Sequence, residues 1–307
     1  MKVFLAGATG VLGRATVPRL IAAGHEVTAV ARGPEKAERL RDQGAVPVSI
    51  DLFDEADVRR AVEGHEAVVH MATSIPPLSK GWRGSAWAAN DRLRREGTRI
   101  LADAARTAAV PVLVKEMVCF FYPDRGSEWI DEDVPVERHP FSAASLDAED
   151  TTLRFGQDAG RGVVLRFGLF YSADARGIDE HLRVARLGLG PMLGRPEAYQ
   201  PSIHVDDAAD AVVAALAAPS GAYNVADEPL TKRAWNDAFA DAFRLKRLRD
   251  TPRLLLRLGG SKLEVLGASR RVSSARFREA TGWAPTYPDA EVGLAQVAVD
   301  HGKGMAS

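Results

Sequence analysis

The chain of 307 residues has only one cysteine, Cys119, which excludes an internal disulfide and any zinc site built from several cysteines. It has no excess of basic residues, because 40 Lys and Arg stand against 41 Asp and Glu. The balance excludes the concentrated basic surface of a nucleic-acid-binding protein, and we interpret Arg270 and Arg271 as a solvated helix end. No uninterrupted apolar run reaches the roughly 18 residues that a membrane-spanning helix needs.

These absences favour an ordinary soluble protein of the cytoplasm. They predict no nucleic-acid partner, no membrane partner and no metal ion, so a small-molecule substrate is the expected ligand. A homodimer is the assembly that we consider. The length suits one large domain or two unequal ones.

Short β-rich runs alternate with helical patterns along much of the chain. The predicted strands cover residues 3–6, 27–30, 46–50, 67–71, 112–114 and 163–167, and a later one covers 223–225. Alternation of this kind is typical of an α/β protein with a Rossmann-type, doubly wound parallel sheet. A helix is predicted from about residue 206 to 218, with Val212, Val213 and Leu216 on its inward face.

Two segments lose this alternation and are rich in Arg, Leu, Gly and Pro. We predict that residues 172–200 and 227–307 form a smaller, mostly helical substrate-binding lobe. Residues 1–171 and 201–226 then form the dinucleotide-binding domain. A substrate is expected in a cleft between the two.

A glycine pattern follows the first predicted strand and precedes an apolar helix. Glycine permits a tight turn and close backbone approach, and the helix N-terminus offers free N–H groups to phosphates. In this context GxxGxxG predicts a pyrophosphate-binding turn. Its residues are Gly7, Thr9, Gly10, Val11, Leu12 and Gly13.

The end of the second predicted strand indicates which dinucleotide binds. An acidic residue there accepts the ribose hydroxyls of NAD, whereas a cation pairs with the additional phosphate of NADP. This strand is followed by Arg32, with Lys36 one turn later and no acidic residue between Val27 and Pro34. We therefore predict NADP, with NAD as the alternative, while an Arg32 that only faces solvent is the competing interpretation.

Several further motifs occur in a characteristic order. They are GATGVLG at 7–13, Asp51 with Leu52, VVHMAT at 68–73, Gly97 with Thr98, LRFGLFY at 165–171, HVDDAA at 204–209, YNV at 223–225 and GWAP at 282–285. Together they resemble the extended short-chain dehydrogenase/reductases of the NAD-dependent epimerase/dehydratase type. The resemblance covers essentially the whole chain.

The resemblance implies roles for several of these residues. Asp51 and Leu52 would hold the adenine. Met71, Ala72 and Thr73 would pass beneath the nicotinamide half, which Phe167 and Gly168 would border. We interpret HVDDAA as the start of a helix and His204 as a structural histidine.

The catalytic residues of that family are missing. Its usual members carry a Ser or Thr after the fifth strand and a YxxxK pair on the next helix, where the tyrosine transfers a proton and the lysine lowers its pKa. None of the five tyrosines here has a lysine four residues later. The best alignment places Met117, Phe141 and Ser145 at the three catalytic positions.

Two residues are weak candidates to replace this set. Lys115 is the only lysine between Trp82 and Thr231, and Tyr122 is expected to point into the cleft. Because adjacent strand residues face opposite sides, at most one of Lys115 and Glu116 faces the cofactor, and the other pairs under a helix. The competing interpretation of Tyr122 is an aromatic wall, and Cys119 is expected to be a small apolar filler.

The substrate is expected to be a small non-nucleotide molecule. Nucleotide-sugar enzymes of this family grip the pyrophosphate with an arginine at the position of Gln200, for which Arg195, Arg271 or Arg276 are possible substitutes. Several aromatic residues favour an apolar or aromatic ligand instead. They are Phe120, Phe121, Tyr122, Phe170 and Tyr171.

Three functions remain open from the sequence. The first is an atypical NADP(H)-dependent oxidoreductase or epimerase that works without YxxxK. The second is a non-redox enzyme on the same scaffold, catalysing elimination, cyclisation or rearrangement. The third is an NADP-sensing regulator without catalysis.

Overall fold

A computed structural model describes residues 1–76, 84–139, 142–174, 176–250 and 267–304. The strands, in chain order, are β1 (Lys2–Ala6), β2 (Glu26–Val30), β3 (Val46–Val48), β4 (Ala67–His70), β5 (Val112–Val118), β6 (Trp129–Ile130), β7 (Arg161–Phe167), β8 (Leu169–Tyr171), β9 (Tyr199–Gln200), β10 (Ser202–His204), β11 (Gly221–Val225), β12 (Leu230–Thr231) and β13 (Arg271–Val272). Every strand predicted from the sequence is found, although β5 is four residues longer than predicted because it continues past Val114 through polar residues.

The helices were numbered in the same way. They are α1 (Val11–Ala22), α2 (Pro34–Asp42), α3 (Glu55–Val62), α4 (Ala88–Arg92), α5 (Thr98–Thr107), α6 (Ala143–Asp158), α7 (Arg176–Arg186), α8 (Val205–Ala215), α9 (Lys232–Ala242), α10 (Ala275–Thr281) and α11 (Ala290–Gly304). A π-helical turn, Leu93–Gly97, joins α4 to α5. None of the described helices is long and apolar enough to cross a membrane.

Seven strands form one parallel sheet in the order β11-β7-β5-β4-β1-β2-β3. Both faces are covered, since α1 and α8 pack on one side and α3, α5 and α6 on the other. This is the predicted doubly wound α/β fold. The chain order reverses between β1 and β4, so the carboxyl ends of these strands form the crevice where ligands bind in such folds.

The described parts of the segments predicted to form a lobe contain the helices α7, α9, α10 and α11. A separate apolar cluster joins α7, α9 and α11, with Trp235 and Phe239 fully buried. However, Phe277 on α10 and Trp283 pack in the sheet core, so part of the predicted lobe lies against the sheet. Arg270 was expected at a solvated helix end, but it lies just before β13 and is buried. Its Nε donates a 2.7 Å hydrogen bond to the carbonyl oxygen of Tyr122, which gives the buried guanidinium a partner.

Candidate functional site

The turn after β1 contacts the end of β4. Gly7 has φ +102°, and a Cβ built there would lie 2.5 Å from the backbone of Met71 and Ala72. Only glycine permits this approach. The turn therefore brings together two groups of residues that the sequence assigned to the cofactor.

Gly10 and Gly13 have different structural roles. A Cβ on Gly13 would lie 2.2 Å from the carbonyl oxygen of Gly7, so this glycine allows α1 to pack against the turn. A Cβ on Gly10 meets only that same oxygen, at 3.3 Å, and otherwise projects into open space. Gly10 is exposed, while Thr9 and Val11 are half-buried and Leu12 is buried.

The first turn of α1 suits a dinucleotide pyrophosphate. It contains no acidic residue, and no side chain caps it. The N–H groups of a helix's first turn have no intrahelical acceptor, and they attract anions. The open space at Gly10 is the space that a phosphate needs, so the residues present fit the predicted cofactor.

The residues predicted at the adenosine end lie on neighbouring strand ends. Arg32 follows β2 and is exposed, and no described residue forms an ion pair with it. The Asp51 carboxylate accepts a 3.0 Å hydrogen bond from the N–H of Phe53. Leu52 packs on the core.

A stacked pair of side chains beside Asp51 was not predicted from the sequence. The guanidinium carbon of Arg92 lies 3.7 Å from the centre of the Phe53 ring. The signal was weak, because the two residues are 39 positions apart in sequence and no motif connects them.

At the nicotinamide end, the segment after β4 starts from a buried Met71, whose N–H bonds to the carbonyl oxygen of Ala6 at 2.7 Å. Ala72 is half-buried and Thr73 is exposed. Gly168 packs so tightly that a Cβ would lie 2.8 Å from the Ser202 nitrogen. Phe167 differs from expectation, because its side chain is fully buried in the sheet core and only its backbone is left to border a ligand.

Tyr122 is buried and does not point into an open cleft, so that expectation is wrong. Its hydroxyl accepts a 2.5 Å hydrogen bond from Nη1 of Arg166 and donates one of 2.9 Å to Oδ1 of Asn224. Arg166 also forms a bidentate ion pair with Glu149 on α6. Burial raises the pKa of Tyr122 despite the nearby Arg166, so the phenol keeps its proton at neutral pH.

Lys115 is fully buried beneath the end of β4. Its Nζ donates to the carbonyl oxygens of Glu116, at 2.6 Å, and His70, at 3.3 Å. We expected at most one of Lys115 and Glu116 to face the cofactor, and both side chains are buried, with Nζ of Lys115 3.4 Å from Oε2 of Glu116. Arg94 holds the other oxygen of that carboxylate at 3.3 Å. Burial lowers the pKa of Lys115 to about 7, although Glu116 opposes the shift.

Two of the three positions that the sequence aligns with the family's catalytic residues are described, and both are buried. Met117 is buried and its sulfur accepts a hydrogen bond from Nη1 of Arg94. Ser145 is buried in α6, and Phe141 lies outside the described residues. Cys119 is buried in a small apolar cluster with Ile130 and Val272, as expected of an apolar filler, and burial raises the pKa of its thiol to about 12.

The HVDDAA segment starts α8, as expected. The His204 ring accepts the N–H of Asp206 at the helix N-terminus. The Asp207 carboxylate accepts the N–H groups of Thr286 and Tyr287 at 2.7 and 3.0 Å. These contacts give the segment a structural role.

The substrate end of the site lacks a cation at position 200. Gln200 is buried and donates to the Pro201 carbonyl oxygen. Of its proposed substitutes, Arg271 stacks over Trp129 and Arg276 pairs with two acidic residues, whereas Arg195 binds Asp124 in the loop after β5. Arg195 therefore contacts that loop through Asp124, and Arg271 contacts it through the Ser127 carbonyl oxygen at 3.5 Å.

Three of the five aromatic residues expected along the cleft are accessible. Phe120, Phe121 and Phe170 are half-buried. Tyr171 is buried like Tyr122, and its hydroxyl donates to Asp227 at 2.9 Å. Within the described parts of the chain, no three His, Cys, Asp or Glu residues gather in a way that could hold a metal ion.

Comparison with known proteins agrees with this geometry. The model of the NAD-dependent epimerase/dehydratase family matches residues 3–226, most of the chain. The chain belongs to this family. With its altered catalytic positions, it is an atypical extended short-chain dehydrogenase/reductase.

Two curated members of the family are similar in sequence. A Streptomyces protein named 3-diazoavenalumate denitrifying reductase is 34% identical over 307 residues, which cover 96% of this chain and 99% of that protein. The human epimerase family protein SDR39U1 is 30% identical over 224 residues, 71% of each chain.

Solved structures of family members are also similar. Human SDR39U1 (isoform 2) with NADPH superposes with a TM-score of 0.82 at 26% identity, over 98% of this chain and 100% of that one. The Thermus thermophilus UDP-glucose 4-epimerase complex with NAD has a TM-score of 0.77 at 23% identity and covers 99% of each chain. The similarity to the Thermus thermophilus enzyme, at 23% identity, shows that the two proteins share a fold.

Proposed function

We propose that this protein is an NADP(H)-dependent reductase that acts on a small, non-nucleotide molecule without a tyrosine proton donor. One observation carries the proposal: the dinucleotide turn is intact, while both candidate proton donors are buried and already bonded. The Tyr122 proton is directed to Asn224, and Lys115 is held by backbone carbonyl oxygens. Reduction of an ordinary ketone requires a proton donor for the developing alkoxide. A site in which both candidate donors are buried and already bonded does not supply one.

The choice of NADP rests on Arg32. This exposed guanidinium lies at the end of β2, where a 2′-phosphate is recognised in dinucleotide-binding folds. Arginine pairs with phosphate through two parallel hydrogen bonds. The NADPH in the human relative supports the same choice, and NAD is the alternative cofactor.

A hydride acceptor that already carries a positive charge needs no proton donor, so it fits this site. The name of the Streptomyces relative supports a diazo compound, which as a diazonium ion meets this condition. Bound NADPH would supply a hydride to the diazonium carbon, so that a C–H bond forms, the C–N bond breaks with its electron pair leaving on N₂, and no proton is required. The protein's residues then have to bind, orient and shield the two reactants.

The environment of the site suits these tasks. Phe120, Phe121 and Phe170 are half-buried aromatic residues near the ends of β5 and β7, and they offer apolar faces to an aryl group. Burial of Gln200 at the position of the family's pyrophosphate-binding arginine argues against a nucleotide sugar. Epimerisation of nucleotide sugars is therefore not favoured.

The experiment compares two substrates of similar shape, 4-carboxybenzenediazonium and 4-carboxybenzaldehyde, with NADPH deuterated at C4. We expect NADPH to be consumed only with the diazonium salt, with N₂ released and deuterium in the benzoate product. Gly10→Val is the matched control for reduction that occurs without bound cofactor.

Other outcomes would contradict the proposal. Reduction of the aldehyde alone would point to a conventional dehydrogenase. Product formation without NADPH consumption would indicate a non-redox enzyme. Tight NADPH binding without turnover of either compound would favour the regulator.

A further inference from the structure

The peptide group between His70 and Met71 is held from two sides at the end of β4. The N–H of Met71 donates to the carbonyl oxygen of Ala6, the last residue of β1, at 2.7 Å. The carbonyl oxygen of His70 accepts a 3.3 Å hydrogen bond from Nζ of Lys115 on β5. Ala6 directly precedes Gly7, whose turn contacts the backbone of Met71. This peptide group therefore joins the dinucleotide turn to β5.

The Lys115 side chain reaches this peptide group although it is fully buried. Its Nζ also donates to the Glu116 carbonyl oxygen at 2.6 Å and lies 3.4 Å from Oε2 of the Glu116 carboxylate. Nη2 of Arg94 lies 3.3 Å from Oε1 of the same carboxylate. A buried ammonium group is costly unless it is paired, so the carboxylate that Arg94 fixes holds Lys115 at the end of β4.

The π-helical turn Leu93–Gly97 supplies Arg94, and turns of this kind are frequent at functional sites. The same turn meets the His70 side chain, because Nε2 of His70 lies 3.4 Å from the Leu93 carbonyl oxygen. Burial lowers the pKa of His70 well below its ordinary value, so the ring is neutral and donates to that oxygen. The main chain and the side chain of His70 are thus both held by residues outside β4.

We propose that Lys115 is a positioning residue for the nicotinamide half of NADP(H). Met71, Ala72 and Thr73 begin at the peptide group that Lys115 holds, and they are the residues expected beneath the nicotinamide. Lys115 does not touch the cofactor in this role, because it acts through the backbone. The family's lysine position holds Ser145 here, and α6 contains no lysine. The inference rests on the proposed function for its cofactor and is independent of the substrate.

The first test observes the peptide group itself. His70 and Met71 form the only histidine–methionine pair in the sequence. Protein labelled with ¹³C at the histidine carbonyl and ¹⁵N at methionine therefore gives one amide signal that reports both atoms of this peptide bond. In the parent protein we expect NADP⁺ to shift this signal, and adenosine 2′,5′-bisphosphate, which lacks the nicotinamide half, to shift it much less. Lys115→Met should move the signal even without a ligand, because the hydrogen bond to the carbonyl oxygen is lost.

The second test separates the two halves of the cofactor by calorimetric titration. Lys115→Met should weaken NADP⁺ binding about five- to tenfold, in line with the loss of one buried hydrogen bond, and leave the affinity for adenosine 2′,5′-bisphosphate nearly unchanged. Lys115→Arg keeps the charge and the N–H donors and should retain most of the NADP⁺ affinity. Lys303→Met, which removes an exposed lysine of α11, is the matched control and should have no effect.

Three results would overturn the role of Lys115. The first is an NADP⁺ complex of the parent protein in which the signal of the His70–Met71 peptide group does not move. The second is an equal loss of affinity for both ligands in Lys115→Met, and the third is a loss in Lys115→Arg as large as that in Lys115→Met. If Lys115→Met does not fold, the titration of the parent protein decides alone.

The same measurements distinguish this role from the proposed function. NADP⁺ binding with the expected shift but without reduction of the diazonium compound would contradict the proposed function and leave the role of Lys115 intact. Reduction of the diazonium compound with no shift of the His70–Met71 signal would do the reverse. A parent protein that does not bind NADP⁺ would contradict both.

Discussion

The Tyr122 hydroxyl donates its proton to Oδ1 of Asn224, 102 residues away in sequence and on the edge strand β11. Arg166 on the neighbouring strand donates to the same hydroxyl. One side chain from the loop after β5 is thereby tied to two strands of the sheet. A residue held in this way supports the position of the loop, whereas a general acid has to reach the substrate.

Substitution of Tyr122 tests this distinction. Tyr122→Phe leaves Asn224 and one Arg166 nitrogen without their partner, so we expect the free energy of unfolding to fall by about 1–3 kcal/mol. With the diazonium substrate, kcat/KM should change by less than about threefold, whereas loss of a general acid costs about 10²- to 10⁴-fold. Urea unfolding and steady-state kinetics measure the two effects.

Tyr223→Phe is the matched control, because Tyr223 lies on β11 next to Asn224 and its hydroxyl donates to a backbone carbonyl oxygen at 3.1 Å. A hundredfold loss of kcat/KM in Tyr122→Phe with unchanged stability would restore Tyr122 as a proton donor. A hundredfold loss of kcat/KM with unchanged stability in Lys115→Met would likewise indicate that Lys115 is a proton donor. In that variant Glu116 keeps its contact with Arg94.

Arg32 is expected to determine the preference for NADP⁺ over NAD⁺. Arg32→Ala should weaken NADP⁺ binding about 10- to 100-fold, which is roughly 1.5–3 kcal/mol for a charge-assisted contact, and leave NAD⁺ binding nearly unchanged. Calorimetric titration with both dinucleotides measures this change. Arg41→Ala removes another exposed arginine that follows β2 and should have no effect. Equal affinities of the parent for the two cofactors would mean that Arg32 only faces solvent.

The two glycines of the turn should respond differently to substitution. Gly10→Val should fold but no longer bind NADP⁺, because its side chain enters the open space at the helix N-terminus. Gly13→Ala should reduce stability by more than about 1–3 kcal/mol, because its Cβ would lie 2.2 Å from the Gly7 oxygen. Circular dichroism and thermal shift with NADP⁺ distinguish these results. If NADP⁺ stabilises Gly10→Val as much as it stabilises the parent protein, this turn does not bind the phosphates.

His181 should make the protein less stable in acid. It packs edge-on against Trp235 and Phe239, its Nδ1 has no partner among the described residues, and burial lowers its pKa from 6.5 to about 4. Between these two pH values the unfolded chain binds the proton and the native protein does not, so stability present above pH 6.5 is lost as the pH falls. The loss is at most about 3 kcal/mol.

His181→Phe removes this titration and keeps the aromatic contacts. We expect it to flatten the decline of the unfolding free energy between pH 6.5 and 4, measured with urea. Part of the decline should persist, because burial also lowers the pKa of His70. An unchanged slope would show that His181 gains its proton at the same pH in both states.

The features of this protein that depend on local pattern could be predicted from its amino-acid sequence. Alternating strands and helices predicted the doubly wound sheet, and the spacing of Gly7, Gly10 and Gly13 predicted a tight turn between β1 and α1. These features are readable because a turn and the first turn of a helix involve residues that are close along the chain. The absence of YxxxK was likewise evident from spacing alone.

The roles of the remaining polar residues depend on contacts between distant parts of the chain. Tyr122 was expected in an open cleft, but it meets Asn224 and Arg166 in the interior, and Arg270 reaches its carbonyl oxygen from 148 residues away. Lys115 and Glu116 pair although strand alternation separates them. A buried polar group must find a partner wherever the fold places one, and such distant pairings leave no periodic signal in the sequence.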